Sequence, residues 1–177
     1  AVLATLESLD EDEFERGPTL CAEWSPRDVL AHLIGIDDGL PEYVKAYGNI
    51  RKANALLVER YAGMTRAELT ERARTWATDP PLTTKLSALF LLGDVCIHHQ
   101  DILRGLGRTR ALPVYARDAI LREGVVLGGV KLLSHRLVPV DGGRPMGRGR
   151  VVGGTSEALG LWLAGRTIVE NELTFTT

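Results

Sequence analysis

Cysteine is scarce: Cys21 and Cys96 are the only two in 177 residues, far apart and without a C-x-x-C spacing. Reduced thiols in a cytoplasmic protein are therefore expected. No apolar run approaches the roughly 18 residues of a membrane span, and no signal-peptide pattern opens the chain. There is no excess of one charge either. Lys and Arg number 21 against 23 Asp and Glu, for a formal net charge of -2 and a pI near 6.1. Neither nucleic acid nor an anionic membrane is then the default partner. The chain holds no G-x-x-x-x-G-K-[ST], no G-x-S-x-G and no dinucleotide G-x-G-x-x-G between strand and helix, which disfavours those chemistries. Internal repeats and low-complexity tracts are absent too. The first residue is not Met, and AVLATLESL begins in mid-rhythm, so a native N-terminal helix is expected to precede it.

What is present is helical rhythm. With 45% hydrophobic and 25% charged residues, the chain is long enough for one well-buried core and short for two. Residues 1–16 read as the end of an amphipathic helix, Val2, Leu6 and Leu9 inward, followed by the acidic DEDEFE as a solvated face. Gly17 and Pro18 break the pattern. Ser25, Pro26 and Asp28 then mark a helix start, a capping box with Pro at the first helical position, and Trp24 packs back just ahead of it. Pro41 suits a kink or restart. Asn49 to Tyr61 supplies a further helix, and Thr65 with Glu68 forms a second capping box that opens RAELTERARTW. DPP at 79–81 halts the chain before the longest stretch, LSALFLLGDVCIHHQDILRGLG at 86–107.

That stretch is apolar enough to be buried, yet Asp94, His98, His99 and Asp101 interrupt it. Residues four apart share a helix face, so Asp94 and His98 point the same way, and Leu86 and Phe90 extend their line toward the core. A buried carboxylate is costly unless something positive meets it. His32 lies on the stripe Val29, His32, Leu33, Ile36 of the earlier helix. Two imidazoles and one carboxylate on inward faces can close around one divalent metal ion. Spacing alone equally fits core histidines, each satisfied by one hydrogen bond. His99, about 100° round the helix, falls outside the cluster, and so does Cys96. Asp101 fits an acceptor that orients the His98 imidazole, or a charge near the helix end.

Beyond the loop GLGRTRALP, Val114 to Leu133 reads as a helix, with Gly124, Gly128 and Gly129 where a neighbour can approach closely. HRLVPVD and RVVGG then alternate like strands around GGRPMGRG, a β-hairpin whose tip carries Arg144, Arg148 and Arg150. The tip can be a solvated turn or an anion or nucleic-acid contact; without an aromatic platform the former is expected. His135 lies at its foot as a surface or strand-packing residue, with a ligand or base role in reserve. Thr155 or Ser156 caps EALGLWLAG, which Gly165 ends. Arg166 is either the cation at that helix terminus or an arginine aimed at an anionic substrate. TIVENELTF adds a last strand or an irregular tail.

TLCAEWSPRDVLAHL, DVCIHHQDILRGLG and VVGGTSEALGLWLAGR, in this order, resemble the mycothiol-dependent maleylpyruvate isomerase family of the DinB-like metalloproteins, over nearly the whole chain. The resemblance implies a mainly α fold: a DinB-like up-and-down four-helix bundle, residues 1–133, with a small C-terminal α/β appendage of hairpin and short helix, residues 134–177. It also implies a metal held by His32, Asp94 and His98, with Asp94 where the family usually has a glutamate, one methylene longer. Zinc is the first expectation, and nickel or iron also suit such a face. Mycothiol would arrive as thiol cosubstrate, so neither Cys21 nor Cys96 is the nucleophile. Relatives with isomerase chemistry carry a larger C-terminal domain that supplies an arginine, for which Arg166 is the nearest match. The implied activity is isomerisation of, or S-transfer to, an electrophilic small molecule by a monomer or homodimer. A non-catalytic metal-binding or regulatory bundle is the alternative.

Overall fold

A computed structural model of the protein describes residues 1–21, 23–36, 45 and 49–176. The kink expected at Pro41 lies outside them. The described chain is mainly helical, with a four-stranded sheet toward its C-terminus, and none of its helices is long and apolar enough to cross a membrane. Two compact units emerge, residues 1–88 with 101–108 and residues 89–100 with 109–177. This grouping differs from a division at 133/134, because segment 134–177 shares its core with the helix before it.

The first unit is assembled from short helices with well-defined starts. Helix α1 (Val2–Glu7) is followed by a separate α2 (Glu11–Arg16). Part of the acidic run is thus a helix of its own and not only a solvated face. The Asp10 carboxylate accepts from Glu13 N at 2.8 Å while the Glu13 carboxylate accepts from Asp10 N, and Phe14 is fully buried. Arg66 lies 4.6 Å over the Phe14 ring and donates to the carbonyls of Leu6 and Leu9. Helix α3 (Pro26–Gly35) starts at the expected box, Ser25 accepting from Asp28 N and Asp28 from Ser25 N. A cap of this kind stabilises by about 1 kcal/mol. Arg27 donates to the carbonyls of Tyr61, Ala62 and Met64, tying α3 to the turn after α4 (Ile50–Arg60). The Thr65–Glu68 box opens α5 (Arg66–Thr78).

Helix α6 runs from Leu82 to Gly105, four residues longer at its start than the apolar stretch implied. Leu86 does not extend the buried line of Asp94 and His98; it is 81% exposed. Eight residues back along a helix is about 80° round it, so the shared face has been left behind.

In the second unit, α7 (Val114–Gly128) tightens into a 3₁₀ turn at Gly129–Leu133. It packs against α8 (Ser156–Leu163) with glycine facing glycine. A Cβ on Gly160 would lie 2.6 Å from Ile120 O, and one on Gly124 would lie 2.7 Å from the Gly160 Cα. Thr155 caps α8 by accepting from Ala158 N. Leu137, Val152, Leu159, Leu161 and Val169 are fully buried in this unit's core.

The expected hairpin is not formed. Strands β1 (His135–Pro139) and β3 (Arg150–Gly154) pair parallel, and the antiparallel neighbour of β1 is the two-residue β2 (Met146–Gly147). The order is β2-β1-β3-β4, with β4 (Thr174–Thr176) antiparallel to β3 after a 3₁₀ turn at Thr167–Glu172. To reach the other edge of β1, the chain passes close beneath its start, where Arg148 N donates to Leu132 O and Arg150 N to Ser134 O. Gly147 and Gly149 have φ of +82° and +96°, and a Cβ on either would strike the carbonyl of His135 or Ser134. The arginine-and-glycine segment is therefore a crossing, whose glycines are required by left-handed backbone and close approach.

Candidate metal centre

Helix α3 carries His32 on its second turn, only 4% exposed. The ring of Trp24 lies 5.1 Å from that of His32, centroid to centroid. Because the Ser25 box sets where α3 begins, it also sets which way His32 points. The loop ahead of α3 holds a residue that sequence reasoning passed over. The Cys21 thiol donates to Asp101 Oδ2 at 3.0 Å, and Leu20 N donates to Asp101 O at 3.0 Å. Asp101 is fully buried. Thr19 holds the loop in place, accepting from Cys21 N and donating to Trp24 O at 2.8 Å. Gly105 permits the approach, since a Cβ there would strike Pro18 O and Thr19 Cα.

On the middle turns of α6, His98 Nε2 stands 3.5 Å from Asp94 Oδ1, one helical turn away. His98 is buried and the Asp94 side chain is 24% exposed. His99 is buried as well, and that burial, reinforced by the positive charge of Arg110, pulls its pKa down to about 4. It is a neutral imidazole near pH 7. Burial pushes the Cys96 thiol upward against the opposing charge of Arg122, so it is a poor thiolate donor.

Each unit thus offers a pair of donor groups: Asp94 and His98 in the second, and Cys21 and Asp101 in the first. On a tetrahedron with bonds of about 2.1 Å, ligand atoms stand about 3.4 Å apart. Imidazole, carboxylate and thiolate are all donors that zinc and its divalent neighbours accept. The 3.5 Å between His98 Nε2 and Asp94 Oδ1 matches that spacing. Nothing in the spacing of Cys21 to α6 announces its pairing with Asp101. A thiol five residues ahead of a capped histidine helix was the only hint.

The other singled-out residues have local partners. Arg166 Nη1 donates to Ala164 O at 2.7 Å and its N–H to Leu161 O, just past Gly165 with φ of +89°, the arrangement of a cation at a helix C-terminus. His135 meets Trp162 edge-on at 5.4 Å and contacts Ser134 Oγ and Lys131 O.

Residues 1–72 match the family model described as the mycothiol maleylpyruvate isomerase N-terminal domain. The match takes in Cys21 and His32 and ends before Asp94 and His98, so it covers less of the chain than the motif resemblance does. The chain matches no curated protein and no solved structure.

Proposed function

Taking as premise that residues 1–72 belong to the mycothiol maleylpyruvate isomerase N-terminal domain family, we propose that the protein is a metal-dependent, mycothiol-using isomerase or S-transferase. In this reading the helices form a DinB-like bundle, and His32, Asp94 and His98 hold one divalent ion, zinc first. The observation that carries it is that His98 Nε2 stands 3.5 Å from Asp94 Oδ1 on α6, with His32 buried on the helix that the family match takes in. A divalent ion in such a site lowers the pKa of a thiol bound to it, so that thiolate is available near neutral pH. The chain's own residues position that chemistry. Asp94 supplies the negative charge, and His98, one turn on, is held beside it. The burial of His32 and His98 excludes bulk water and strengthens each electrostatic contact. Both cysteines are free thiols, which accords with a reducing, cytoplasmic setting. Arg166, one nitrogen anchored on Ala164 O, is assigned to meet an anionic electrophile. The partners are then a small thiol and an electrophile, with the protein as monomer or homodimer.

Elemental analysis and a conjugation assay with mycothiol test the reading. Wild type is expected to carry about one divalent ion per chain and to consume mycothiol against an electrophile. His32→Ala is expected to lose metal and turnover while the metal-free melting temperature stays nearly unchanged. Metal-independent turnover, or no metal at all, refutes it. Collapse of the fold in His32→Ala assigns the residue to the scaffold instead.

A further inference from the structure

The second unit contains an acid that neither the motifs nor the function proposed above uses. Glu123, on α7, is only 8% exposed. It lies against Gly93 of α6: a Cβ on Gly93 would be 2.6 Å from Glu123 Cβ and 3.0 Å from its Oε2. The absence of a side chain at position 93 is what lets the carboxylate sit beside the residue preceding Asp94. The Arg122 guanidinium ties α7 to the same stretch of α6, donating to Leu89 O at 2.6 Å. Glu123 Oε2 is buried and, among the described residues, receives no hydrogen bond. A carboxylate oxygen so placed is costly, and native structures rarely keep one without a role. The charges it faces are known. Burial raises its pKa, the Asp94 carboxylate raises it further, and Arg122 and His98 oppose both.

Two carboxylates on facing stretches of α7 and α6, Glu123 against Gly93 and Asp94 next along the chain, repel one another until a cation arrives. Resting on the metal reading above, we propose that Glu123 is a fourth protein group of the centre, holding a divalent ion bound at Asp94 and His98 through one bridging water. The bridge follows from reach. Among the described residues, no Glu123 oxygen lies with two other ligand atoms within 4.8 Å of one another, whereas Oε2 would be only 3.0 Å from a Cβ on Gly93, the neighbour of Asp94. Glu123 is thus a positioning residue for the ion, acting on its affinity and coordination.

The test uses metal-free full-length protein titrated with Co²⁺ and followed by its visible absorption, then with Zn²⁺ in competition with a chromophoric chelator. Loss of an outer carboxylate is expected to weaken both ions 10- to 100-fold in Glu123→Gln, within the range usual for groups behind the direct ligands. The Co²⁺ bands are expected to shift in position or intensity. His98→Ala should abolish uptake. The metal-free melting temperature of Glu123→Gln should equal or exceed that of wild type, because a buried acid facing Asp94 has been neutralised. Affinities within about twofold of wild type, with the same Co²⁺ bands, overturn the proposal, being below what such groups normally contribute. Should Glu123→Gln fail to fold, Glu123→Asp decides: a retracted carboxylate gives weaker binding and altered bands, and unchanged values overturn the assignment. If wild type itself takes up neither ion, the metal reading has failed, which is distinguishable from Glu123 alone being idle.

Discussion

The two units hold themselves together by different means. In the first, short helices are started by side chains that cap them and joined by arginines that reach carbonyls: Asp10, Ser25 and Thr65 at the starts, Arg27 and Arg66 as ties. In the second, α7 and α8 meet backbone to backbone through Gly124 and Gly160, over a core of leucine, isoleucine and valine. Discrete polar contacts can be lost one at a time, each with a modest penalty. A glycine contact has no slack, because one added methyl group meets main-chain atoms that cannot rotate away.

The largest expected effect follows directly. Gly160→Ala, whose Cβ would sit 2.6 Å from Ile120 O, should lower stability by about 3 kcal/mol in urea unfolding, the upper end for overpacking by a methyl group. Gly63→Ala, which meets nothing within 4 Å, should change it by no more than about 0.5 kcal/mol. Equal losses at the two positions would erase the contrast.

A smaller effect comes from His99, buried in the second unit. Its pKa is about 4 when folded against an ordinary 6.5, so the unfolded chain takes up the proton first as pH falls. Stability is full above pH 6.5 and declines through the window from 6.5 to 4. By pH 5 the loss should reach about 2 kcal/mol. Denaturation at pH 7.5 and pH 5, with a chelator present, should show it, and His99→Gln should flatten the slope. An unchanged slope would mean that His99 is not the group responsible.

Smallest is Ser25→Ala in the first unit, expected to cost about 1 kcal/mol. Because this cap sets the start of the His32 helix, metal affinity is expected to fall with it, read by the same chelator competition. A loss above about 3 kcal/mol would show that the first unit is less divisible than its contacts imply.

The legibility of the chain follows the same division. Ser25–Asp28, Thr65–Glu68 and the Thr155 cap were readable because capping is a contact over three residues, complete within a short window. The burial of His32 and His98 was readable from helical period. Asp10–Glu13 obeys the same rule, but the acidic composition of its run hid it. The parallel pairing of β1 and β3 was not readable, since alternation specifies a strand and not its partner or direction. Nor were Cys21 beside Asp101 or Glu123 beside Gly93. These pairs are 80 and 30 residues apart, and no local pattern links them.

The sequence by itself determined where the helices behind Ser25, Thr65 and Thr155 begin, that His32 and His98 turn inward, and that histidine and aspartate sit together one turn apart on the longest helix. All of these arise from interactions between neighbours along the chain. Only the tertiary structure decided that the glycine-and-arginine segment crosses under β1, that Leu86 faces solvent, that a thiol donates to Asp101 and that Glu123 lies against Gly93. Each of those depends on two distant segments meeting, and the strength of such a meeting comes from volume, distance and excluded water, quantities that exist only once the chain has folded.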